Sequence, residues 1–197
     1  MLYNTTKKKM LKTLKKVLES EKKNNRLFDI IIYGSIVKGK DSPGDIDILV
    51  IFNEGNLRQR LNEIQRIKSR ILSKFSKKKI DIKQSLLKDI FNPEFFAKTG
   101  IFLEGYSIFR GRKFSETLGF EPYSLFTYSL KGLSHTQKVK FNYLLAGRTT
   151  EGLLKEFKGE RLVNGAVKVP LENSVEFEEI LKQNRIEYKK RNILEER

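Results

Sequence analysis

The stretch DIIIYGSIVKGKDSPGDIDILVIF, Asp29 to Phe52, decides how this chain is read. Residues 28–33, FDIIIY, are a short unbroken apolar run rich in β-branched side chains, the pattern of a strand buried on both faces. Gly34 ends it. The loop from Ser35 to Gly44 contains Gly39, Pro43 and Gly44, all turn formers. Residues 45–52, DIDILVIF, resume as a strand. Side chains alternate across a strand, so Asp45 and Asp47 point to one face while Ile46 and Ile48 point to the other, toward a core.

Working outward, residues 57–75 predict an amphipathic helix, with Leu57, Leu61, Ile64, Ile67, Ile71, Leu72 and Phe75 inward. Residues 79–84, KIDIKQ, alternate as a third strand, with Asp81 between Ile80 and Ile82. Two strands, a helix and another strand predict an α/β sheet with a helix on it. If the third strand lies beside the DID strand, three carboxylates meet on one surface. Clustered anions repel, and a divalent cation removes that cost. Carboxylate oxygens suit hard ions, so Mg²⁺ or Mn²⁺ is expected. Two such ions, typically ~3.5–4 Å apart, can activate a hydroxyl and stabilise a leaving pyrophosphate. Nucleotidyl transfer asks the protein chiefly for positioning and positive charge. Gly34 lets the backbone approach a triphosphate, the Ser35 hydroxyl and nearby amides can bond its oxygens, and Lys38 and Lys40 are placed to neutralise charge.

Gly34-Ser35, nine residues, then Asp45-Ile46-Asp47 resembles the signature of the DNA polymerase beta-like nucleotidyltransferase superfamily, and most closely its minimal nucleotidyltransferase branch. Gly39 matches a glycine usual in that loop. The resemblance covers residues 28–110. It implies a nucleotidyltransferase fold, a short mixed sheet flanked by helices. It implies that Asp45 and Asp47 bind both metals, that Asp81 is the third carboxylate, and that Gly34 and Ser35 hold the nucleotide phosphates. Two positions depart from the pattern. Lys38 stands where the branch often has arginine, which keeps charge but loses the planar fork. Gly44 stands where serine usually precedes the first aspartate. Neither removes a metal ligand.

The 197 residues suffice for one large domain or two small ones. The formal charge is +16, and it is uneven: residues 1–110 hold 24 Lys/Arg against 12 Asp/Glu, and residues 111–197 hold 16 against 12. The surplus therefore sits with the aspartates and suits a polyanionic partner; solvated lysines without a specific role are the plain alternative. There are no cysteines, which excludes disulfides and thiolate metal sites and makes the cytoplasm the default. No run of 18 apolar residues predicts a membrane span, and the basic N-terminus has no secretory apolar core.

Residues 5–23 predict a helix capped by Thr5 or Thr6, with Met10, Leu11, Leu14, Val17 and Leu18 on one face and lysines elsewhere. Pro93 is expected to begin a helix, and Tyr106 to Arg110 to form a last strand. The expected division is a nucleotidyltransferase domain, 1–110, and a smaller α+β domain, 111–197, for nucleic-acid or acceptor binding, with Gly111-Arg112-Lys113 at the boundary. In the second part a helical stretch is expected near Tyr123 to Leu130. Ser134 is expected to cap a helix to Ala146 with Val139, Tyr143 and Leu144 inward, followed by a short helix over 152–157. Arg161 to Val169 reads as a hairpin turning at Asn164-Gly165. A helix follows over Ser174 to Gln183, with Val175, Phe177, Ile180 and Leu181 inward, then a strand over Arg185 to Tyr188. The helix, helix, hairpin order resembles a winged helix by element order alone. Lys138, Lys140 and Arg148 beside Phe141 and Tyr143 suit a nucleic-acid-contacting helix, or an ordinary amphipathic one. The single histidine, His135, cannot build a His-based metal site, and neither Ser35 nor Ser134 has a triad context.

The expected activity is metal-dependent transfer of a nucleoside monophosphate from a nucleoside triphosphate to an acceptor hydroxyl, with nucleic acid favoured as acceptor by the basic surface. The alternatives are an antitoxin-like enzyme modifying a partner protein, and a nucleic-acid-binding module without turnover.

Overall fold

Residues 3–37, 44–95, 97–148 and 151–197 are described by the computed structural model, with side chains of the first helix from Lys8 onward. The chain divides into two compact units, Met1–Leu118 and Gly119–Arg197.

In the first unit the two β-branched runs form strands β1 (Leu27–Tyr33) and β2 (Asp45–Phe52), paired antiparallel. Helix α2 (Leu57–Leu72) carries the chain to β3 (Lys79–Leu86), which pairs parallel to β2. A two-residue strand β4 (Tyr106–Ser107) closes the other edge, giving the order β3-β2-β1-β4. The sheet is therefore mixed, with a helical crossover joining its parallel pair.

One sheet face packs on helices. Ile30, Ile32, Ile46, Ile48 and Val50 meet Leu14 and Leu18 of helix α1 (Tyr3–Leu18) and Ile64, Ile67 and Ile71 of α2. Burying each such side chain contributes about 1.5–3 kcal/mol. The opposite face carries a second apolar cluster. Ile31, Leu49 and Ile51 pack under Ile90, Ile101 and Phe114, from the segment that follows β3.

Polar contacts fix two junctions. Asp29, fully buried, accepts hydrogen bonds from Ser107 Oγ at 2.7 Å and Arg110 Nη1 at 2.6 Å, joining β1 to the turn after β4. Glu21, also buried, pairs with Arg66 at 2.6 Å and Arg70 at 3.3 Å and holds the end of the first helical segment to α2. Helix α2 starts with a reciprocal cap, Asn56 with Gln59.

The second unit contains β5 (Phe120–Ser129), α4 (His135–Ala146), α5 (Leu153–Glu156), β6 (Glu160–Val163), β7 (Ala166–Pro170), α6 (Ser174–Gln183) and β8 (Glu187–Glu196), in chain order after α3 (Phe114–Thr117) of the first unit. Its sheet is antiparallel, ordered β6-β7-β5-β8. Phe126, Val167 and Val169 pack with Phe141, Leu145, Phe177 and Leu181. Gly165 turns the hairpin at φ +85°.

Several expectations are corrected. Of the stretch 123–130, residues 123–129 lie in strand β5, not a helix: Ser124 and Phe126 are buried and Thr127 exposed, a period of two. The hairpin pairs with this strand inside a four-stranded sheet, so it is not a free wing. In α4 the inward residues are Phe141 and Leu145, whereas Tyr143 and Leu144 are exposed. Leu57, Leu61 and Leu72 are exposed on α2, and Val175 on α6. No helix begins at Pro93; a 3-10 turn spans Leu87–Phe91 and a π-helical turn Gly100–Glu104. The strand expected over 106–110 is two residues long. Thr5 and Thr6 lie inside α1, not at its cap. No helix among the described residues is long and apolar enough to cross a membrane.

Candidate functional site

Asp45, Asp47 and Asp81, each partly buried, stand on the sheet face that also carries Ile31, Leu49 and Ile51. In the parallel β2–β3 ladder Asp47 is the partner of Asp81, and Ile46 the partner of Ile80. Partners in register share a face, so Asp47 and Asp81 lie together, and Asp45, two residues along β2, joins them. The three carboxylate residues expected from sequence are thereby brought to one surface, beyond the edge of the Ile31–Leu49–Ile51 cluster.

Asp47 is the central carboxylate of the group. Burial pushes the Asp47 carboxyl above its ordinary value, and the neighbouring charges of Asp45 and Asp81 push it further; Lys83 and Lys79 oppose the shift. Among the described residues no group of three or more His, Cys, Asp or Glu side chains is arranged to hold a metal ion.

Gly34 and Ser35 take up the turn directly after β1. Gly34 has φ +73°, and a Cβ added there would collide with Asp47 Oδ2, so this backbone lies directly against the carboxylate. Ser35 Oγ donates to Asp45 Oδ1 at 3.3 Å. The turn thus touches both aspartates of β2. Lys38, Gly39, Lys40, Asp41 and Pro43 lie outside the described residues. Gly44 is exposed, with open space where a side chain would be.

Three further residues, Tyr33, Lys79 and Lys83, belong to this group. Tyr33 is the β1 partner of Asp47. Burial, then the charges of Asp47 and Asp81, push its phenol up to about 12, so it stays a neutral hydroxyl at the border between the acidic face and the apolar cluster. Lys83 stands two residues from Asp81 and Lys79 two residues before it, so both share its face. The alternation Lys79-Ile80-Asp81-Ile82-Lys83 carried that signal; nothing in the sequence alone singled out Tyr33.

A search of curated proteins returns no match to this chain. Residues 1–120 match a protein family described as "Family of unknown function (DUF6932)". The match takes in the whole acidic face and more than half of the chain, which therefore belongs to the DUF6932 family.

Proposed function

We propose that the first unit is a metal-dependent nucleotidyltransferase, which transfers a nucleoside monophosphate from a nucleoside triphosphate to an acceptor hydroxyl and releases pyrophosphate. The observation that carries this reading is the register that sets Asp47 beside Asp81 with Asp45 on the same face, against the Gly34-Ser35 turn.

The donor set suits a hard divalent cation: three carboxylates, with the charge of the central one opposed by the other two. Asp45, Asp47 and Asp81 would hold Mg²⁺ or Mn²⁺. The bound metal supplies charge neutralisation at the triphosphate and acidifies the acceptor hydroxyl. Asp81 orients that hydroxyl and receives its proton. The turn at Gly34 keeps the backbone low enough for phosphate oxygens to approach, and the Ser35 hydroxyl orients Asp45 or bonds a phosphate in its place. Lys79 and Lys83 add positive charge on the same face. The Lys38 role, a further phosphate contact, stays part of the proposal.

Charge favours nucleic acid as acceptor, since the first unit carries 26 Lys/Arg against 13 Asp/Glu. A hydroxyl on a partner protein is the second reading, and the edge of β3 beside Asp81, unpaired among the described residues, favours it. The test is incubation of α-labelled nucleoside triphosphates and Mg²⁺ with RNA, DNA or protein. Label should pass to one acceptor class with release of pyrophosphate, and Asp45→Asn should abolish it in a folded protein. Nucleotides left intact with every acceptor would instead support a binding module without turnover.

A further inference from the structure

Strand β3 is an outer strand of its sheet, and among the described residues no strand pairs with its far side. A groove of about 480 Å³ runs along that side, walled by α2 and by β3 from Ile80 to Gln84. Helix α2 presents Leu61, Ile64 and Lys68 at helical spacing; Leu61 is 46% exposed although it is apolar. Gln84 Oε1, in the groove wall, is buried with no hydrogen-bond partner. The outer edge of such a strand carries a row of backbone donors and acceptors, which natural sheets cover or blunt.

We propose that β3 is a strand-addition site for an extended segment of a partner protein, in which a Ser or Thr between two acidic residues lies opposite Asp81. Residues paired across a ladder share a face, so an added strand continues the pattern of β3. On one face Lys79, Asp81 and Lys83 stand at successive alternate positions, and their partners are an acid, a hydroxyl and an acid. On the other face Ile80 and Ile82, with Leu61 and Ile64 above them, take aliphatic side chains. The segment therefore reads acidic, aliphatic, Ser/Thr, aliphatic, acidic. Lys68 adds a further cation at the groove. None of the lining residues is aromatic, so bases of a single-stranded nucleic acid would find no ring to stack on.

The role of the central hydroxyl rests on the second form of the nucleotidyltransferase reading, in which the acceptor is a partner protein; the strand addition does not. In that role the hydroxyl oxygen forms a bond to the α-phosphorus of the nucleoside triphosphate. The bond from that phosphorus to the bridging oxygen breaks, pyrophosphate leaves, and the hydroxyl proton passes to Asp81.

The test selects displayed random decapeptides on the full chain without metal or nucleotide, then follows amide exchange with the best one as a synthetic peptide. Enriched sequences should alternate acidic and aliphatic residues around Ser or Thr. The peptide should slow exchange at least tenfold in the 80–84 segment, and the double variant Leu61→Asp, Lys68→Glu should lose that protection while remaining folded. Lack of enrichment, protection unaffected by the double variant, equal protection by oligouridylate, or pairing of two copies of this chain through β3 would each overturn the proposal. Because no turnover is read, failure here leaves nucleotidyl transfer to its own assay.

Discussion

Asp47 and Asp81 are direct partners in the parallel ladder between β2 and β3, so two like charges are fixed side by side by backbone pairing. Such a juxtaposition of like charges costs stability. Asp47→Asn removes one of the opposed charges. Without divalent metal the variant should melt higher than the natural chain by about 2 °C, the size expected for relieving less than ~1 kcal/mol of partly screened repulsion. Nucleotidyl transfer should fall by at least about 100-fold, since losing part of several kcal/mol of charge stabilisation costs tenfold for each ~1.4 kcal/mol. Thermal melting and the labelled-nucleotide assay read the two effects separately.

The backbone contact between Gly34 and Asp47 makes a sharper steric prediction. At φ +73° an alanine is strained, and its methyl would strike the carboxylate. Gly34→Ala should destabilise the protein by about 1–2 kcal/mol from the left-handed backbone alone, more with the clash. Gly44→Ala, where a methyl meets nothing within 4 Å, should change the denaturant midpoint little.

Away from the site, Asp29 and Arg110 tie the first unit together. Burial pushes the Asp29 carboxyl upward, against the Ser107 hydroxyl, the Arg110 guanidinium and the amides of Ile30 and Phe109. Arg110→Ala leaves the carboxylate buried without its cation. The cost at neutral pH should be about 3 kcal/mol, the low end for a broken buried pair because Arg110 itself is a third exposed. Equilibrium urea unfolding measures it.

Stability of the second unit should depend on pH through Glu178. It accepts from Lys190 at 2.7 Å and from Tyr188 at 2.8 Å, joining α6 to β8. The Lys190 bond, then the Tyr188 bond, hold its carboxyl below the ordinary value of 4.5. The folded state therefore favours the anion: the gain is complete above about pH 4.5 and is lost as pH falls through the lowered folded value. Glu178→Gln should cost on the order of 0.5–1 kcal/mol at pH 7 and close to nothing at pH 2. Paired melting curves at the two pH values test the sign.

The strands of the first unit were legible because their sequences leave few options. Ile30 to Ile32 and Leu49 to Phe52 are apolar runs too short for a helix, and Ile-Asp-Ile alternates on both acidic strands. The face shared by Asp45, Asp47 and Asp81 followed from a period of two plus one assumption, adjacency of β2 and β3, which the ladder supplies. Strand β5 has no strand signature in the sequence because Tyr123, Leu125, Phe126 and Tyr128 put apolar side chains on both faces, which erases the alternation. In α4 the run Phe141, Tyr143, Leu144, Leu145 is apolar nearly all round, so only packing selects Phe141 and Leu145. Tyr33 entered the site through cross-strand register, a long-range relation with no local signature.

Calorimetric titration of a nucleoside triphosphate into the natural chain, with Mg²⁺ and then with EDTA, tests the central claim most directly. The expected result is saturable heat that requires Mg²⁺ and disappears in Asp47→Asn and Asp81→Asn. No heat with Mg²⁺, or equal heat from both variants, would contradict it.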